Sequence, residues 1–289
     1  MLMRLKSVLA ASIILYTAWL IKKGNVVDHF SASLIQARDD LSRPVVGVLL
    51  VHGLNGTTRD MDELAAFLSG YGFLTQKLLL PGHGTHVRDM LAVGWEEWAT
   101  AVRTEVQVLK QRCTHVFLVG HSLGGALCLH TAIHEEVTGL VTMCAPITMA
   151  PWIRLAVRLV HRWVPLVPTI REDVCDPAAR RRYTRDVYRW TPMAPVQSML
   201  QYLPSLRAEL PQLTAPLLIM SATHDHVVPA RDGHVLYRLA GSQQKQLVIL
   251  QRSYHVVMLD HDRAEVFAKT LAFIQHNVEK QPEILSARS

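Results

Sequence analysis

Residues 116–125 read Val-Phe-Leu-Val-Gly-His-Ser-Leu-Gly-Gly, an apolar run that leads into a glycine-rich turn around Ser122. The run 116–120 predicts a strand buried on both faces, and residues 125–134 predict a helix. Gly120 to Gly124 fits the pattern G-x-S-x-G, in which a sharp strand-to-helix turn lifts a serine hydroxyl above a sheet. The helix N-terminus favours negative charge that develops there. The stretch therefore predicts Ser122 as a nucleophile, with an ordinary glycine-rich turn as the alternative.

The same alternation of short apolar runs and helical patterns extends along the chain. The predicted strands are 45–51, 73–80, 116–120, 140–144, 216–221 and 246–250. The predicted helices are 95–111, 125–134, 231–239 and 263–278. Strands that alternate with helices predict an α/β fold with a mostly parallel, doubly wound sheet.

One segment interrupts this alternation. Residues 146–211 contain helical pieces separated by prolines and no plausible strand. Because ligands bind at the carboxyl ends of parallel strands, an insertion over that edge would shape a pocket. We therefore expect residues 44–147 and 212–278 to form the core, residues 148–211 to form a helical cap, and residues 1–24 to form a separate hydrophobic segment.

A nucleophilic serine needs a general base and a carboxylate, and position must select them because the chain has 15 histidines. His255 follows the last predicted strand, and Asp225 follows the strand before it, which gives the chain order Ser, Asp, His. In this arrangement Asp225 accepts a hydrogen bond from Nδ1–H of His255, and Nε2 takes the serine proton. Asp232 and His261 are fallback candidates that lie inside helical patterns.

Acyl transfer also needs backbone N–H groups directed at the oxyanion. The backbone N–H of Leu123, the residue after the nucleophile, is predicted to be one donor. Residues 52–56 read His-Gly-Leu-Asn-Gly after the first predicted strand, and the backbone N–H of Leu54 is predicted to be the second donor. The alternative for this loop is a plain turn with two glycines.

Two histidine pairs offer metal-like spacing. They lie in residues 83–86 and in residues 224–226. No third ligand accompanies either pair, so we predict no metal ion. The spacing of the four cysteines suggests no pairing, so we predict that they are reduced, structural thiols and that the compartment is reducing. They are Cys113, Cys128, Cys144 and Cys175.

The N-terminus and the charge balance favour a membrane surface. Residues 7–21 are apolar with basic residues on both sides, but a run of roughly 15 residues is short for a spanning helix. It fits an uncleaved anchor over residues 5–23, a cleaved signal, or a helix packed on the domain. The net charge of +6 comes without a nucleic-acid module, so nucleic acid is not a predicted partner. We expect an inner-membrane location with a cytoplasmic catalytic domain, or a cytoplasmic protein.

Residues 152–164 of the predicted cap carry Arg154, Arg158 and Arg162 at every fourth position, with apolar residues over most of the rest. Such a helix can lie in a membrane interface, with its basic face toward phosphates. Alternatively, it can roof an apolar pocket while its arginines are solvated. Both interpretations predict an apolar surface near Ser122 that suits an acyl chain.

Several stretches together make the chain resemble bacterial carboxylesterases and monoacylglycerol lipases of the α/β-hydrolase superfamily. The matching stretches are 52–57, 81–86, 120–125, 141–146, 224–229 and 253–260. The resemblance implies an α/β-hydrolase fold, hydrolysis of carboxylic esters and no cofactor. The family's triad and oxyanion roles then fall on Ser122, Asp225, His255, Leu54 and Leu123. The N-terminal hydrophobic segment and the cap sequence depart from the family pattern.

The predicted function is a serine esterase that acts on a lipid-like monoester, either a monoacylglycerol or a medium-chain carboxylic ester, through an acyl-enzyme on Ser122. An acyltransferase or thioesterase would use the same three residues, because water is only one possible acceptor. A non-catalytic binding protein on this fold is a third alternative, although such proteins usually lose one of the three residues.

Overall fold

The computed structural model describes residues 45–169, 173–186 and 188–280. The strands in chain order are β1 (Val46–Val51), β2 (Leu74–Leu78), β3 (His115–His121), β4 (Gly139–Met143), β5 (Leu166–Pro168), β6 (Trp190–Pro192), β7 (Leu217–Ala222) and β8 (Lys245–Leu250). Six of them form a parallel sheet in the order β2-β1-β3-β4-β7-β8. Each predicted core strand corresponds to one of these six, and the predicted parallel sheet is confirmed.

Helices cover both faces of the sheet. They are α1 (Asp62–Ser69), α2 (Trp95–Lys110), α3 (Leu123–His134), α4 (Pro151–Val160), α5 (Pro177–Asp186), α6 (Met193–Glu209), α7 (Arg231–Leu239) and α8 (Arg263–Glu279). The four predicted helices correspond to α2, α3, α7 and α8. Helix α1 was not predicted, because only eight residues follow a short 3-10 turn and the apolar period covers barely two turns.

The core lies on both sides of the sheet because side chains alternate along each strand. All six residues of β1 are buried. Its Leu49 and Val51 join one apolar cluster, whereas Val48 and Leu50 join the cluster on the opposite face. A strand with two buried faces reads as a continuous apolar run, which is the pattern that the sequence shows.

The strand order places a crevice at the carboxyl ends of β1 and β3. From β1 the chain adds β2 on one side, and β3, β4, β7 and β8 follow on the other. Such a reversal is where ligands bind in open parallel sheets. The loop after β1 and the turn that holds Ser122 both begin at this reversal.

Residues 146–211 differ from their prediction in one respect. It contains the predicted helical pieces, α4, α5 and α6, but β5 and β6 also pair there as a two-stranded antiparallel sheet. The prediction that residues 146–211 lack strands is therefore wrong. Each of these strands has three residues and ends in proline, which leaves too little alternation to detect.

No helix in the three described ranges combines the length and the apolarity that crossing a membrane requires. The predicted anchor, residues 5–23 within the segment 1–24, lies outside the described residues.

Candidate active site

The predicted nucleophile Ser122 lies between the end of β3 and the start of α3. Its backbone has φ 52° and ψ −120°, a conformation that residues other than glycine rarely adopt. The Ser122 N–H donates to the Met143 carbonyl at 2.8 Å, and its own carbonyl accepts from the Ala126 N–H at 3.1 Å. The surrounding structure therefore holds the serine in a strained turn, as a nucleophile elbow requires.

The glycines of the G-x-S-x-G pattern are required by close backbone approach. A Cβ atom on Gly120 would lie 2.4 Å from the Gly124 carbonyl oxygen. A Cβ atom on Gly124 would lie 2.3 Å from the Val51 carbonyl oxygen at the end of β1. Because neither backbone can move without disturbing the sheet, any larger residue would displace the turn that carries Ser122.

Asp225 and His255 lie together although 30 residues separate them in the sequence. His255 Nδ1 is 2.7 Å from Asp225 Oδ2. Asp225 follows β7 and His255 follows β8, so adjacent parallel strands deliver both side chains to the same edge of the sheet. The two side chains are 2% and 6% exposed, which shields their hydrogen bond from water.

The second oxygen of Asp225 is also occupied. Its Oδ1 accepts from the N–H groups of Val227 at 2.7 Å and Val228 at 2.9 Å. Burial alone would raise the pKa of Asp225, but the His255 charge and these hydrogen bonds bring that pKa below its ordinary value. The carboxylate therefore stays ionised at neutral pH and favours the tautomer of His255 with a proton on Nδ1.

Cys144 is a neighbour of this pair that sequence reasoning assigned to the core. It is buried, directly follows β4 and has a positive φ of 50°. Single ligand-type atoms of Cys144, Asp225 and His255 lie within 4.8 Å of one another. Burial and the Asp225 charge raise the pKa of its thiol well above the ordinary value, so the thiol stays neutral. The signal in the sequence that could have placed Cys144 beside this pair is its position at the carboxyl end of a central strand.

The loop after β1 lies against the Ser122 turn. A Cβ atom on Gly53 would lie 3.2 Å from Ser122 Cβ, so the next residue, Leu54, begins beside the nucleophile. His52 holds this loop: its Nε2 accepts from the Leu80 N–H at 3.2 Å. Burial, followed by the charge of neighbouring His83, lowers the pKa of His52 to about 3, so this acceptor nitrogen is unprotonated.

The other predicted oxyanion donor is Leu123, the first residue of α3. The first N–H groups of a helix have no carbonyl partner within the helix and point out of its N-terminus. Because Ser122 directly precedes the helix, the Leu123 N–H lies beside the serine.

The two fallback candidates occupy other positions. Asp232, in the first turn of α7, accepts from the N–H groups of Ile147 at 2.7 Å and Thr148 at 2.8 Å, and thereby holds the chain after β4. His261 lies in the turn before α8, so its predicted place inside a helix is wrong. Its N–H donates to Asp260 at 2.8 Å.

Asp260 holds the His255 loop, a role that sequence reasoning missed. Its carboxylate is buried and accepts from the Tyr254 N–H at 2.9 Å, immediately before His255. The same carboxylate accepts from the N–H groups of Cys175 at 2.7 Å and Asp176 at 2.9 Å in the cap segment. One carboxylate therefore joins the base loop to the cap. Sequence alone gives no signal for such a contact.

Three of the four histidines in the pairs with metal-like spacing make other contacts. The His83 ring packs edge-on against His52, with ring centroids 4.8 Å apart. His86 accepts from the Arg88 N–H and caps a 3-10 turn. The His226 ring packs against Tyr254 at 4.3 Å.

A cavity of about 440 Å³ opens at this edge of the sheet. Ser122, His255, His121 and Leu54 line it, and Asp225 lies behind the His255 ring. More than half of the remaining lining residues lie within the predicted cap, residues 148–211, and the apolar side chains among them include Met149, Ile153, Val157, Val167, Met193, Val196, Met199 and Leu200. The volume is in the range of small-molecule sites.

A family model described as serine aminopeptidase, S33, and named Hydrolase_4, matches residues 42–262, which include all of the predicted site residues. The chain belongs to the Hydrolase_4 family. The predicted α/β-hydrolase fold and the predicted resemblance to carboxylesterases and monoacylglycerol lipases are confirmed.

This Hydrolase_4 member is similar to named hydrolases over most of its length. It is 32% identical over 229 residues to the thermostable monoacylglycerol lipase of Bacillus sp. (strain H-257), which covers 79% of this chain and 90% of the relative. It is 25% identical to the carboxylesterase of Bacillus subtilis (strain 168), with 79% and 92% covered. A solved structure from work on LipS and LipT, two metagenome-derived lipolytic enzymes, superposes with a TM-score of 0.75 at 29% identity, with 81% and 96% covered.

Proposed function

We propose that this chain is a carboxylic ester hydrolase whose substrates are monoacylglycerols or medium-chain carboxylic esters. The observation that carries the proposal is the apolar cavity with Ser122 and His255 on its wall. The names of the relatives, a monoacylglycerol lipase and a carboxylesterase, support the same substrate class.

In the proposed reaction, Ser122 Oγ attacks the ester carbonyl while His255 Nε2 takes the serine proton. Asp225 holds the ring through Nδ1 and stabilises the imidazolium that forms. The N–H groups of Leu54 and Leu123 bind the oxyanion, each contributing about 3 kcal/mol. The protonated His255 then donates its proton to the leaving alcohol, which leaves an acyl-enzyme on Ser122. Water, activated by the same histidine, releases the fatty acid.

The cavity offers different surroundings to the two halves of such an ester. Its cap side is apolar and suits an acyl chain. Another part of the wall is polar: the Asn55 amide donates to Thr191 Oγ1 at 2.8 Å, and Thr191 lies 2.8 Å from Thr169 Oγ1. Hydroxyl groups of this kind can exchange hydrogen bonds with the free hydroxyls of a glycerol moiety.

A chain-length series tests the substrate class. We expect kcat/KM for p-nitrophenyl esters to rise from acetyl to medium-length acyl groups, because each buried methylene contributes about 0.8 kcal/mol. A preference for acetyl would contradict the proposal. The variant Thr191→Val tests the glycerol end: it should lower kcat/KM for a monoacylglycerol more than for the p-nitrophenyl ester of the same acid. Equal losses would contradict recognition of glycerol by Thr191.

The proposal includes a lipid surface as partner, which α4 would contact. No residue of α4 is buried, and Trp152 and Trp163 are 71% and 85% exposed. Trp163 lies in the turn that follows α4, and Arg154, Arg158 and Arg162 supply positive charge within the same stretch of sequence. Ile153 and Val157 of the same helix line the cavity, which supports the roof interpretation as well. The hydrophobic residues 5–23 would provide a second membrane contact, with the catalytic domain on the cytoplasmic side.

A further inference from the structure

Two histidines and a glutamate meet away from the cavity, where the last residue of α6 reaches α3. His130 and His134 are four residues apart on α3, so their side chains lie on the same face of that helix. Glu209 ends α6, the last helix of the segment over the sheet edge. None of the three lines the cavity or contacts the predicted catalytic residues.

The spacing of their ligand atoms fits one metal ion. Glu209 Oε2 is 3.6 Å from His130 Nδ1 and 3.4 Å from His134 Nε2. One ligand atom from each residue lies within 4.8 Å of the other two. In tetrahedral coordination with metal–ligand bonds near 2.05 Å, adjacent ligands are about 3.3 Å apart. The two nitrogen–oxygen distances are therefore close to the edge length of such a tetrahedron.

The other contacts of the ligand atoms leave them available to a cation. Glu209 Oε2 is buried and has no hydrogen-bond partner among the described residues. The Tyr202 hydroxyl is 3.3 Å from His130 Nδ1, a weak contact that a metal bond can replace.

An ion can reach this position from solvent. The His134 side chain is 47% exposed and that of Glu209 is 25% exposed, so one side of the cluster is open. On the other side, His130 packs edge-on against Trp95 and Tyr202. Packed walls fix the ligands, and the open side leaves room for water as a fourth ligand.

We propose that His130, His134 and Glu209 form a binding site for a divalent transition-metal ion such as Zn²⁺. Two imidazoles and one carboxylate form a ligand set that zinc binds in proteins, usually with water in the fourth position. The ion would join the end of α6 to α3, the helix that begins beside Ser122. It would act as a structural link, and no step of the proposed ester hydrolysis passes through it.

Two other groups of comparable residues fit an ion less well. In the group of Cys144, Asp225 and His255, the carboxylate already has His255 Nδ1 at 2.7 Å, which is hydrogen-bond distance. In the group of Cys175, Asp260 and His261, both carboxylate oxygens accept backbone N–H groups. Only in the group of Glu209 does a buried carboxylate oxygen lie between two imidazoles without a hydrogen bond, as far as the described residues go.

Calorimetric titration of the chelator-treated full chain with ZnCl₂ at pH 7.5 tests the site. We expect one equivalent of Zn²⁺ to bind and the Tm to rise. His134→Gln and Glu209→Gln should each weaken this binding about tenfold or more. Both positions are partly exposed, so the variants should fold. The control His276→Gln removes an exposed histidine on α8 and should leave the affinity unchanged.

A Co²⁺ titration gives an independent readout, because tetrahedral coordination produces intense visible absorption that hexaaqua Co²⁺ lacks. This absorption should be present in the parent and in His276→Gln, and lost in His134→Gln. No saturable binding by the parent would overturn the proposal. It would also be overturned if His134→Gln and Glu209→Gln bound Zn²⁺ as the parent does, or if only Cys144→Ser abolished binding.

Discussion

The turn around Ser122 and the helix α4 both line one cavity but are built in opposite ways. Every residue from His115 to Leu129 on β3 and α3 is buried, and the glycines of the turn touch neighbouring backbone. Helix α4 buries none of its residues. The difference teaches that the chemistry depends on a crowded sheet edge that tolerates little change, whereas substrate access depends on a helix whose outer face is free to vary.

The largest effect on activity is expected in the buried region around Ser122, from the substitution Asp225→Asn. The substitution keeps the shape of the side chain but favours the wrong tautomer of His255, so kcat should fall about 10⁴-fold. Steady-state kinetics with a p-nitrophenyl ester measures the loss. The control Asp262→Asn, which removes hydrogen bonds from Arg252 and Ser253 at the start of the base loop, should mainly lower Tm. Similar kinetics in both variants would contradict the role of Asp225.

The pH dependence of stability should also come from buried residues, in this case histidines. Burial lowers the pKa of His52 to about 3, that of His83 to about 4 and that of His121 to about 3. Between these values and the unfolded pKa of 6.5, the unfolded chain binds protons that the folded chain excludes. The free energy of unfolding should therefore fall as pH drops below about 6.5, by up to about 4 kcal/mol per pH unit for three protons.

Urea denaturation at several pH values from 7 to 5 measures this slope. In His121→Asn one of the three groups is absent, and the slope should decrease by about one third. A free energy of unfolding that is constant over this range would show that these rings accept protons in the folded state.

Gly124→Ala tests how little space the Ser122 turn has. Its Cβ atom would lie 2.3 Å from the Val51 carbonyl oxygen, so we expect a loss of about 3 kcal/mol in the free energy of unfolding, and lower kcat. At the control position Gly72 a Cβ atom meets nothing within 4 Å, but φ is +86°. Gly72→Ala should therefore lose only about 1 kcal/mol and keep full activity. Equal losses in both variants would contradict the crowding argument.

The smallest effect is expected on the exposed face of α4. Replacing Trp152, Leu155 and Leu159 by serine should weaken binding to anionic phospholipid vesicles about tenfold and leave hydrolysis of a soluble ester unchanged. The matched variant Ile153→Ser, on the cavity face, should lower kcat/KM for medium-chain esters and leave vesicle binding unchanged. If the triple variant binds vesicles as the parent does, the lipid-surface proposal is wrong.

The same contrast explains what the sequence predicts. Four of the six core strands, β1, β3, β4 and β7, could be located because burial on both faces turns them into apolar runs. The turn around Ser122 is visible because its glycines are sterically required. Asp225 and His255 could be chosen because the order of parallel strands fixes which loops meet at one edge. These predictions use local pattern and topology together.

What the sequence did not reveal depends on contacts between distant residues. The pairing of β5 with β6 involves only three residues on each side. Asp260 reaches cap residues that are more than 80 positions away, and Glu209 meets two histidines of another helix. No spacing rule predicts such partners, because the cap path that brings them together is set by tertiary packing.

The central claim, that Ser122 is the nucleophile of a serine esterase completed by Asp225 and His255, is tested most directly by covalent labelling. The full chain would be treated with a fluorophosphonate and the labelled peptide identified by mass spectrometry. We predict one adduct, on Ser122, that forms much more slowly in Asp225→Asn and is absent in Ser122→Ala, while the exposed-serine control Ser205→Ala labels normally. An adduct on another residue, or unchanged labelling of Ser122→Ala, would contradict the claim.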